Sequence, residues 1–504
     1  VVIDLDRTDP DGWGSIATPV VDPKTDEIVY EIHVRDYSVA DESAPEDIRG
    51  TYLGLIHENE SPVMTGLSHL KELGVTAVHL LPIQDFTNER SDYNWGYWTA
   101  LFNVAEADYA TNQTDPIAPI TELKQTIHTL HANDIRVIMD VVYNHTSTPV
   151  GQRAFDAAVP KYYFRTTDDG EYRNDAGTGN SIADERAMVR KYIVDSLVYW
   201  TNEYRIDGYR FDLLGTHQPE TVSAILAALE SVREDLTIYG EPWTGGGPIY
   251  YGKGAQRGSE MAVFNDHLRN AIRGDLDGTA IGFATGPGGD RGAILAGVRG
   301  AIDDFADHPI ESVAYASAHD NLTLWDKIIK TAPDADEATH RSMQKLALGV
   351  VLTSQGMPFL HGGSDFARTK YGEHNSYNKG DAVNKFDWAR KGEYRDVFDY
   401  VAGLIEIRKA HPAFRMHDAT QVRRNLRVIA QGPAVAFALN GAAVGDPWGT
   451  IVVAYTGDPT EHGVELPPGK WTQVVNADTA GTEPLREVEG WVTLPPYSMV
   501  VLWQ

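Results

Sequence analysis

The sequence holds no cysteine. Disulfides, thiolate catalysis and Cys-ligated zinc are therefore excluded, and the compartment is left open between the cytoplasm and secretion. Long apolar runs are lacking too, since none approaches the roughly 20 residues of a membrane span. Positive charge is scarce: Lys and Arg total 43 against 72 Asp and Glu, a net charge of −29. Such a chain repels phosphate backbones and anionic lipid surfaces, which removes nucleic acid and membrane from the expected partners. A neutral polymer is indifferent to that charge, most of which reads as a device for solubility. No repeat or low-complexity tract stands out, and no Gly-rich phosphate loop follows the late strands. Val1 opens no signal peptide, so the chain reads as a processed or trimmed form. A soluble monomer is expected, with a cytoplasmic location slightly favoured over secretion.

What is present is enough for a sizeable core: 504 residues, 42% of them hydrophobic, which fits one large catalytic domain and a smaller companion. Residues 1–26 are rich in Asp, Pro and Gly and read as a linker or ordered extension. Strands are predicted at Ile28–Val34, Val75–Leu81 and Ile135–Val142, then in the runs ending at Asp212 and Glu241. A weak sixth follows at Ala262–Asn265, a seventh at Ser312–Ala318 and an eighth at Met357–His361. The nearly unbroken apolar runs suit strands buried on both faces. Helical spacing appears between them at 62–73, 120–130 and 185–204. Strands alternating with helices predict a parallel sheet, and eight units over 27–412 predict an α/β (β/α)8 TIM barrel. Residues 147–183 lack periodicity and read as an inserted loop subdomain. From 413 to 504 short strands alternate with turns, as in an all-β sandwich domain.

The chemistry concentrates where strands end. In Asp207-Gly208-Tyr209-Arg210-Phe211-Asp212, Arg210 and Asp212 are two apart and share a strand face. A guanidinium there is expected to hold Asp212 ionised at low pKa, as a covalent nucleophile requires. Glu241, beside Trp243, is expected to be desolvated and raised, as suits a proton donor. Asp320 closes a third run. One such acid alone is more often an ion pair or a cap. Three at strand ends of one barrel point instead to a site at its C-terminal mouth. Two carboxylates with separated pKa values are the equipment for glycosidic bond cleavage.

Four motifs carry a resemblance to a known family: Asp140-Val141-Val142-Tyr143-Asn144-His145, Gly208 to Asp212, Gly240-Glu241-Pro242-Trp243, and His319-Asp320-Asn321. In these the chain resembles the α-amylase clan, glycoside hydrolase family 13. Tyr93-Asn94-Trp95-Gly96-Tyr97, Asp320 to Lys327, Arg368-Thr369-Lys370 and His374 to Asn378 look like the type I pullulanases within it. The resemblance implies hydrolysis of α-1,6-glucosidic branch links in pullulan, amylopectin and related α-glucans by a retaining double displacement. Asp212 would be the nucleophile, Glu241 the acid/base and Asp320 the stabiliser of the distorted sugar. Arg210 would aim Asp212, His145 and His319 would donate to sugar hydroxyls, and Trp95 and Tyr97 would offer flat faces to the sugar. Asp381, Asn384 and Lys385 look like donor-side sugar contacts. No cofactor is required. Asp140 and Asn144 could contribute to a calcium site in some relatives, but no acid-rich calcium loop is present, so calcium is left open and no metal is assigned. Trp98-Thr99 stands where the pullulanase signature continues with an acid and a proline, and Gly363-Ser364-Asp365-Phe366 replaces a Gly-Gln-Glu-Phe-like stretch. Gly96-Tyr97-Trp98 is more amylase-like, so an α-1,4-acting amylase, neopullulanase or glucanotransferase is the rival reading. An inactive glucan-binding protein is the remote one, opposed by the intact acids at 212, 241 and 320.

Overall fold

The computed structural model describes residues 2–87, 93–147 and 154–504. Strand β1 (Val29–Ile32) is followed by β2 (Ala77–Leu80) and by an antiparallel hairpin of β3 (Gln84–Phe86) and β4 (Thr99–Ala105). Then come β5 (Arg136–Val141), β6 (Gly208–Phe211), β7 (Thr237–Gly240), β8 (Met261–Phe264), β9 (Ser312–Tyr315) and β10 (Met357–His361). Setting the hairpin aside, these eight strands close into a parallel barrel in the order β1-β10-β9-β8-β7-β6-β5-β2. The expected barrel is therefore present, strand for strand. The hairpin was not foreseen, because the buried positions of Thr99–Ala105 fall three apart rather than two and follow an aromatic loop with no strand signal.

Side-chain alternation sorts the barrel into two environments. Outward residues such as Val78, Leu80, Val137, Met139, Tyr209 and Phe211 join the main core beneath the helices. The lumen holds an apolar layer that includes Val29, Ala77, Ile138, Tyr239, Phe264, Val313 and Phe359. Nearer the C-terminal ends the inward residues are Glu31, His79, Asp140 and Arg210, all buried. Packing between neighbouring strands is close. A Cβ at Gly208 would lie 2.3 Å from the Thr237 carbonyl oxygen, which only glycine avoids.

Helix boundaries follow local chemistry. The helix Gly66–Leu73 starts later than Pro62 because Asn59 ties Val63 and Thr65 into a loop. It ends at Gly74, in the left-handed region at φ 82°. The first strand stops at Ile32, and His33 instead caps the helix Val34–Ser38. The helices Ala118–His131 and Ala187–Glu203 fall where helical spacing placed them. None of the helices among the described residues is long and apolar enough to cross a membrane.

The excursion after β5 is less independent than expected. Residues 148–153 lie outside the described residues. The rest holds one short helix, Ala154–Ala158, and two isolated bridges, Phe164–Ile182 and Thr166–Tyr172. Phe164 and Ile182 bury themselves in the main core rather than building a core of their own. Arg165 pins the segment to Asp184 at 2.6 Å and to Glu185 at 3.1 Å.

The C-terminal strands are β11 (Leu426–Gln431), β12 (Ala434–Leu439), β13 (Ile451–Thr456), β14 (His462–Val475), β15 (Arg486–Leu494) and β16 (Ser498–Trp503). All pairings are antiparallel and form one sheet, ordered β11-β12-β13-β16-β14-β15. The region is all-β as expected, but its two layers come from one sheet rather than two. The register shifts between Glu465 and Lys470, and β14–β15 then lie over β12–β13. That fold encloses Ala436, Val452, Trp471, Val492 and Leu502. The opposite face, with Phe437, Tyr455 and Met499, joins the barrel's core against the helix Glu337–Thr353.

The N-terminal segment is ordered and clamps the foot of the barrel. Lys124 reaches Asp9 at 2.5 Å and lies 5.7 Å from the Trp13 ring centre. Arg408, fully buried, donates to five carbonyls: Thr25, Leu352, Ser354, Gly356 and Phe414, at 2.6–3.1 Å. It thereby joins the N-terminal segment, the β10 approach and the link to the C-terminal sheet. Arg408→Met leaves those acceptors without a donor, each worth roughly 1–3 kcal/mol when stranded. We expect a Tm drop of several degrees by calorimetry that Lys at 408, with fewer donors, does not restore.

Candidate active site

Arg210 enters the lumen from β6 between two outward neighbours. Tyr209 donates its hydroxyl to the Leu197 carbonyl at 2.8 Å, and Phe211 packs among the helices. The guanidinium is thus fixed from behind. Its Nη1 donates to both Asp140 oxygens at 3.0 Å and to Asp212 Oδ1 at 3.0 Å. Its Nη2 donates to Glu241 Oε1 at 2.5 Å. The adjacency foreseen for Arg210 and Asp212 is present, and the same cation also grips the carboxylate at the end of β7.

Both carboxylates are held at their second oxygen as well. Asn144 Nδ2 donates to Asp212 Oδ2 at 2.7 Å, while the Leu213 N–H donates to Glu241 Oε2 at 3.0 Å. Leu213 adopts φ 43°, a left-handed conformation unusual for a branched residue. Such strain persists only where the surroundings enforce it. Here it falls at the residue whose N–H meets Glu241.

Burial pushes Glu241 up to about 8; Arg210 opposes the rise, and Asp212 and Asp320 add to it. This agrees with the expected proton donor. Asp212 departs from expectation. Burial raises it and outweighs Arg210, with Asp140 and Asp320 pushing the same way. The guanidinium limits the rise rather than holding the group low, because it is shared among three carboxylates.

Asp320 stands apart, its side chain 60% exposed at the rim. Beside it His319 is buried, its Nδ1 2.7 Å from Glu31 Oε1 and its Nε2 3.7 Å from Asp320 Oδ1. Burial lowers His319, but Glu31 and Asp320 carry it up to about 8. Tyr97 stacks on His319 with ring centres 5.1 Å apart and donates its hydroxyl to Asp140 at 2.6 Å. His145 accepts Trp98 edge-on at 5.5 Å.

These groups line one cleft of about 260 Å³ with Trp95, Trp98, Thr178, Leu213, Trp243, Asn375 and Tyr377. Of the foreseen residues, Asp212, Glu241, Asp320, His145, His319, Tyr97 and Trp95 all reach it, and Arg210 braces it from below. Trp95 offers less than expected. It is only 3% exposed, meets His319 edge-on at 5.0 Å, and has Lys370 Nζ 4.4 Å from its ring centre.

The three expected donor-side contacts do not line this cleft. Asn384 is fully buried, with its amide spent on Ser376 and Gly380, so it shapes the 376–380 loop and meets no cleft. Asp381 does not line the cleft either, because Arg35 binds it through two bonds of 2.8 and 2.6 Å. Lys385 borders a separate hollow with Arg49 and Trp388. The Asp140 oxygens are committed to Arg210, Tyr97 and His79, and Asn144 bonds His145 and Asp212, which does not fit a calcium ion.

Comparison with known proteins places this arrangement. The family models for "Alpha amylase, catalytic domain" and "Pullulanase, all-beta domain" match residues 60–174 and 422–479. The pullulanase of Bacillus subtilis (strain 168) is 37% identical over 481 residues, covering 92% of this chain and 67% of that protein. The chain belongs to the type I pullulanase family. The solved pullulanase from Bacillus acidopullulyticus matches with a TM-score of 0.97 at 43% identity, covering 100% of this chain and 64% of that one. A pullulanase from Paenibacillus barengoltzii, solved with maltohexaose and α-cyclodextrin, matches at TM-score 0.92 and 39% identity, covering 100% and 81%. The chain thus spans about two thirds of the two Bacillus pullulanases.

Sequence reasoning missed several participants of this pullulanase-type cleft. Glu31 is a lone acid in an apolar strand, a signal that was available. Thr178 and Tyr377 come from irregular loops, whose path no periodicity encodes.

Because Asp212 raises Glu241, Asp212→Asn should lower the Glu241 pKa below about 8. Carboxyl titration by infrared or carbon NMR checks this. An unchanged value would show that the two groups do not sense each other.

Proposed function

We propose that the chain hydrolyses α-1,6-glucosidic branch links in α-glucans such as pullulan and amylopectin by a retaining double displacement. On this reading residues 27–412 form the catalytic unit, 413–504 its all-β companion, and 1–26 an extension. The observation that carries it is the single guanidinium of Arg210 joining Asp212 and Glu241 at the floor of an aromatic-walled cleft. The family's solved members, one of them holding maltohexaose, support an α-glucan in that cleft.

The chemistry follows from the protonation states. Below about pH 8 Glu241 carries its proton while Arg210 and Asn144 both donate to Asp212. Asp212 attacks the anomeric carbon as Glu241 gives its proton to the leaving oxygen, and the acceptor glucan departs. Glu241, now ionised, takes a proton from a water whose oxygen attacks the anomeric carbon; the bond to Asp212 breaks, the sugar is released and both groups are restored. Positive charge builds on the sugar ring in each transition state, where Asp212 and Asp320 stabilise it. The base limb of kcat/KM belongs to Glu241, since its deprotonation removes the acid. The acid limb belongs to Asp212, whose raised pKa brings protonation in early as pH falls.

Asp212→Asn should abolish turnover by several powers of ten with the circular dichroism unchanged. Glu241→Gln should spare an activated aryl glucoside more than pullulan, with azide rescuing the second step. Product analysis on pullulan tests bond choice: maltotriose indicates α-1,6 cleavage and panose α-1,4. Panose from the wild-type chain, or Asp212→Asn activity within tenfold of wild type, overturns the reading.

A further inference from the structure

Glu31 is a lumen carboxylate that the double displacement leaves without a part. Glu31 projects inward from β1, 2% exposed, in register with His79 of β2 and His361 of β10. Its Oε1 accepts from His319 Nδ1 at 2.7 Å, while Oε2 has no hydrogen-bond partner. An isolated buried anion is costly, so a cation beside it is what makes the position tenable. Burial pushes Glu31 up, yet His319 foremost, then His79 and Arg210, bring it below the ordinary carboxylate value.

His319 is held on every side. Glu31 takes the inner ring nitrogen, and Lys370 Nζ donates to its carbonyl at 2.8 Å. Tyr97 covers one ring face and Trp95 meets the imidazole edge-on. The outer nitrogen, Nε2, is left toward the cleft beside Asp320. Turning the ring would break the Glu31 bond, and neutralising it would strand the Glu31 charge.

We propose that Glu31 is a positioning residue for the reaction: it fixes His319 as a doubly protonated cation whose Nε2–H faces the cleft. The inference rests on the reading of Asp212, Glu241 and Asp320 as the reacting carboxylates. A cationic donor makes a shorter, stronger bond to a sugar hydroxyl than a neutral imidazole. The charges bearing on His319 come from several elements. Glu31 and Asp320 favour the cation, Arg210 opposes it, and Lys370 and His361 stand behind it after and on β10. The balance keeps His319 charged up to about pH 8.

Glu31→Gln keeps the shape and removes the charge. Burial and Arg210 then act on His319 without their main counterweight, so its pKa falls and it is largely neutral at neutral pH. We expect kcat to drop roughly 10- to 100-fold with little change in KM, as where a carboxylate orients a metal-bound imidazole. The deficit should narrow from about pH 7 to about pH 5 as acid restores the cation. A purely structural Glu31 would lower Tm and depress activity alike at every pH. On a His319→Gln background, Glu31→Gln should cost little further activity, since the two act as one unit. Nitrogen-15 NMR of labelled histidine, with His319 assigned by its loss in His319→Gln, reads the cation directly. Titration near 8 in the wild type supports the proposal, and a value at or below the ordinary 6.5 overturns it even if Glu31→Gln fails to fold. A wild-type pH profile in Glu31→Gln with Asp212→Asn inert overturns the Glu31 role alone. An active Asp212→Asn overturns the underlying reading instead.

Discussion

Arg210 puts one delocalised positive charge among three carboxylates in a space that excludes water. Asp140, Asp212 and Glu241 come from the ends of three consecutive parallel strands, and each accepts a hydrogen bond from the same planar group. A lysine, with one point charge, could not engage three partners in fixed directions. The arrangement also leaves the carboxylates short of compensation. One cation cannot keep all three at low pKa, and the shortage appears where chemistry calls for a proton, at Glu241. Structure and reactivity thus share an origin in a deliberate deficit of positive charge.

That deficit sits atop an apolar plug. Val29, Ala77, Ile138, Tyr239, Phe264 and Phe359 fill the lumen beneath the charged layer. They bar water from below and keep the effective dielectric low, which strengthens each interaction above them. Outside, the helices and the C-terminal sheet form one continuous core around the barrel, so the strand ends have little freedom to shift.

The sequence was most legible where the period was strict. All eight barrel strands were visible because strands such as Ala77–Leu80 are buried on both faces and read as nearly unbroken apolar runs. The acids were legible for the opposite reason, since Asp212, Glu241 and Asp320 interrupt or end such runs. What stayed hidden depends on contacts that no periodicity records. Asn384 looked like a sugar contact, yet its amide is consumed by Ser376 and Gly380, a local closure that no spacing rule records. The shift of Asp212 was misjudged because its burial outweighs the guanidinium, which Asp140, 72 positions earlier in the chain, also engages. The single folded sheet behind the expected sandwich was hidden because the register shift that bends it lies in a Pro-Pro-Gly turn within one long strand.

Leu213 links nucleophile and acid through a single peptide unit. Its N–H, in the peptide that follows Asp212, donates to Glu241, and its own backbone is left-handed. The two reacting groups are therefore mechanically coupled, and neither can be relocated by redesigning its own loop. Insertions or deletions between 212 and 215 would displace both at once. Adaptation to a bulkier or differently branched glucan has to come from segments free of that tether: the hairpin after β2, the excursion around Thr178 and the Asn375–Tyr377 loop. The barrel mouth so divides into a fixed half, where bonds are broken, and a replaceable half, where substrates are chosen.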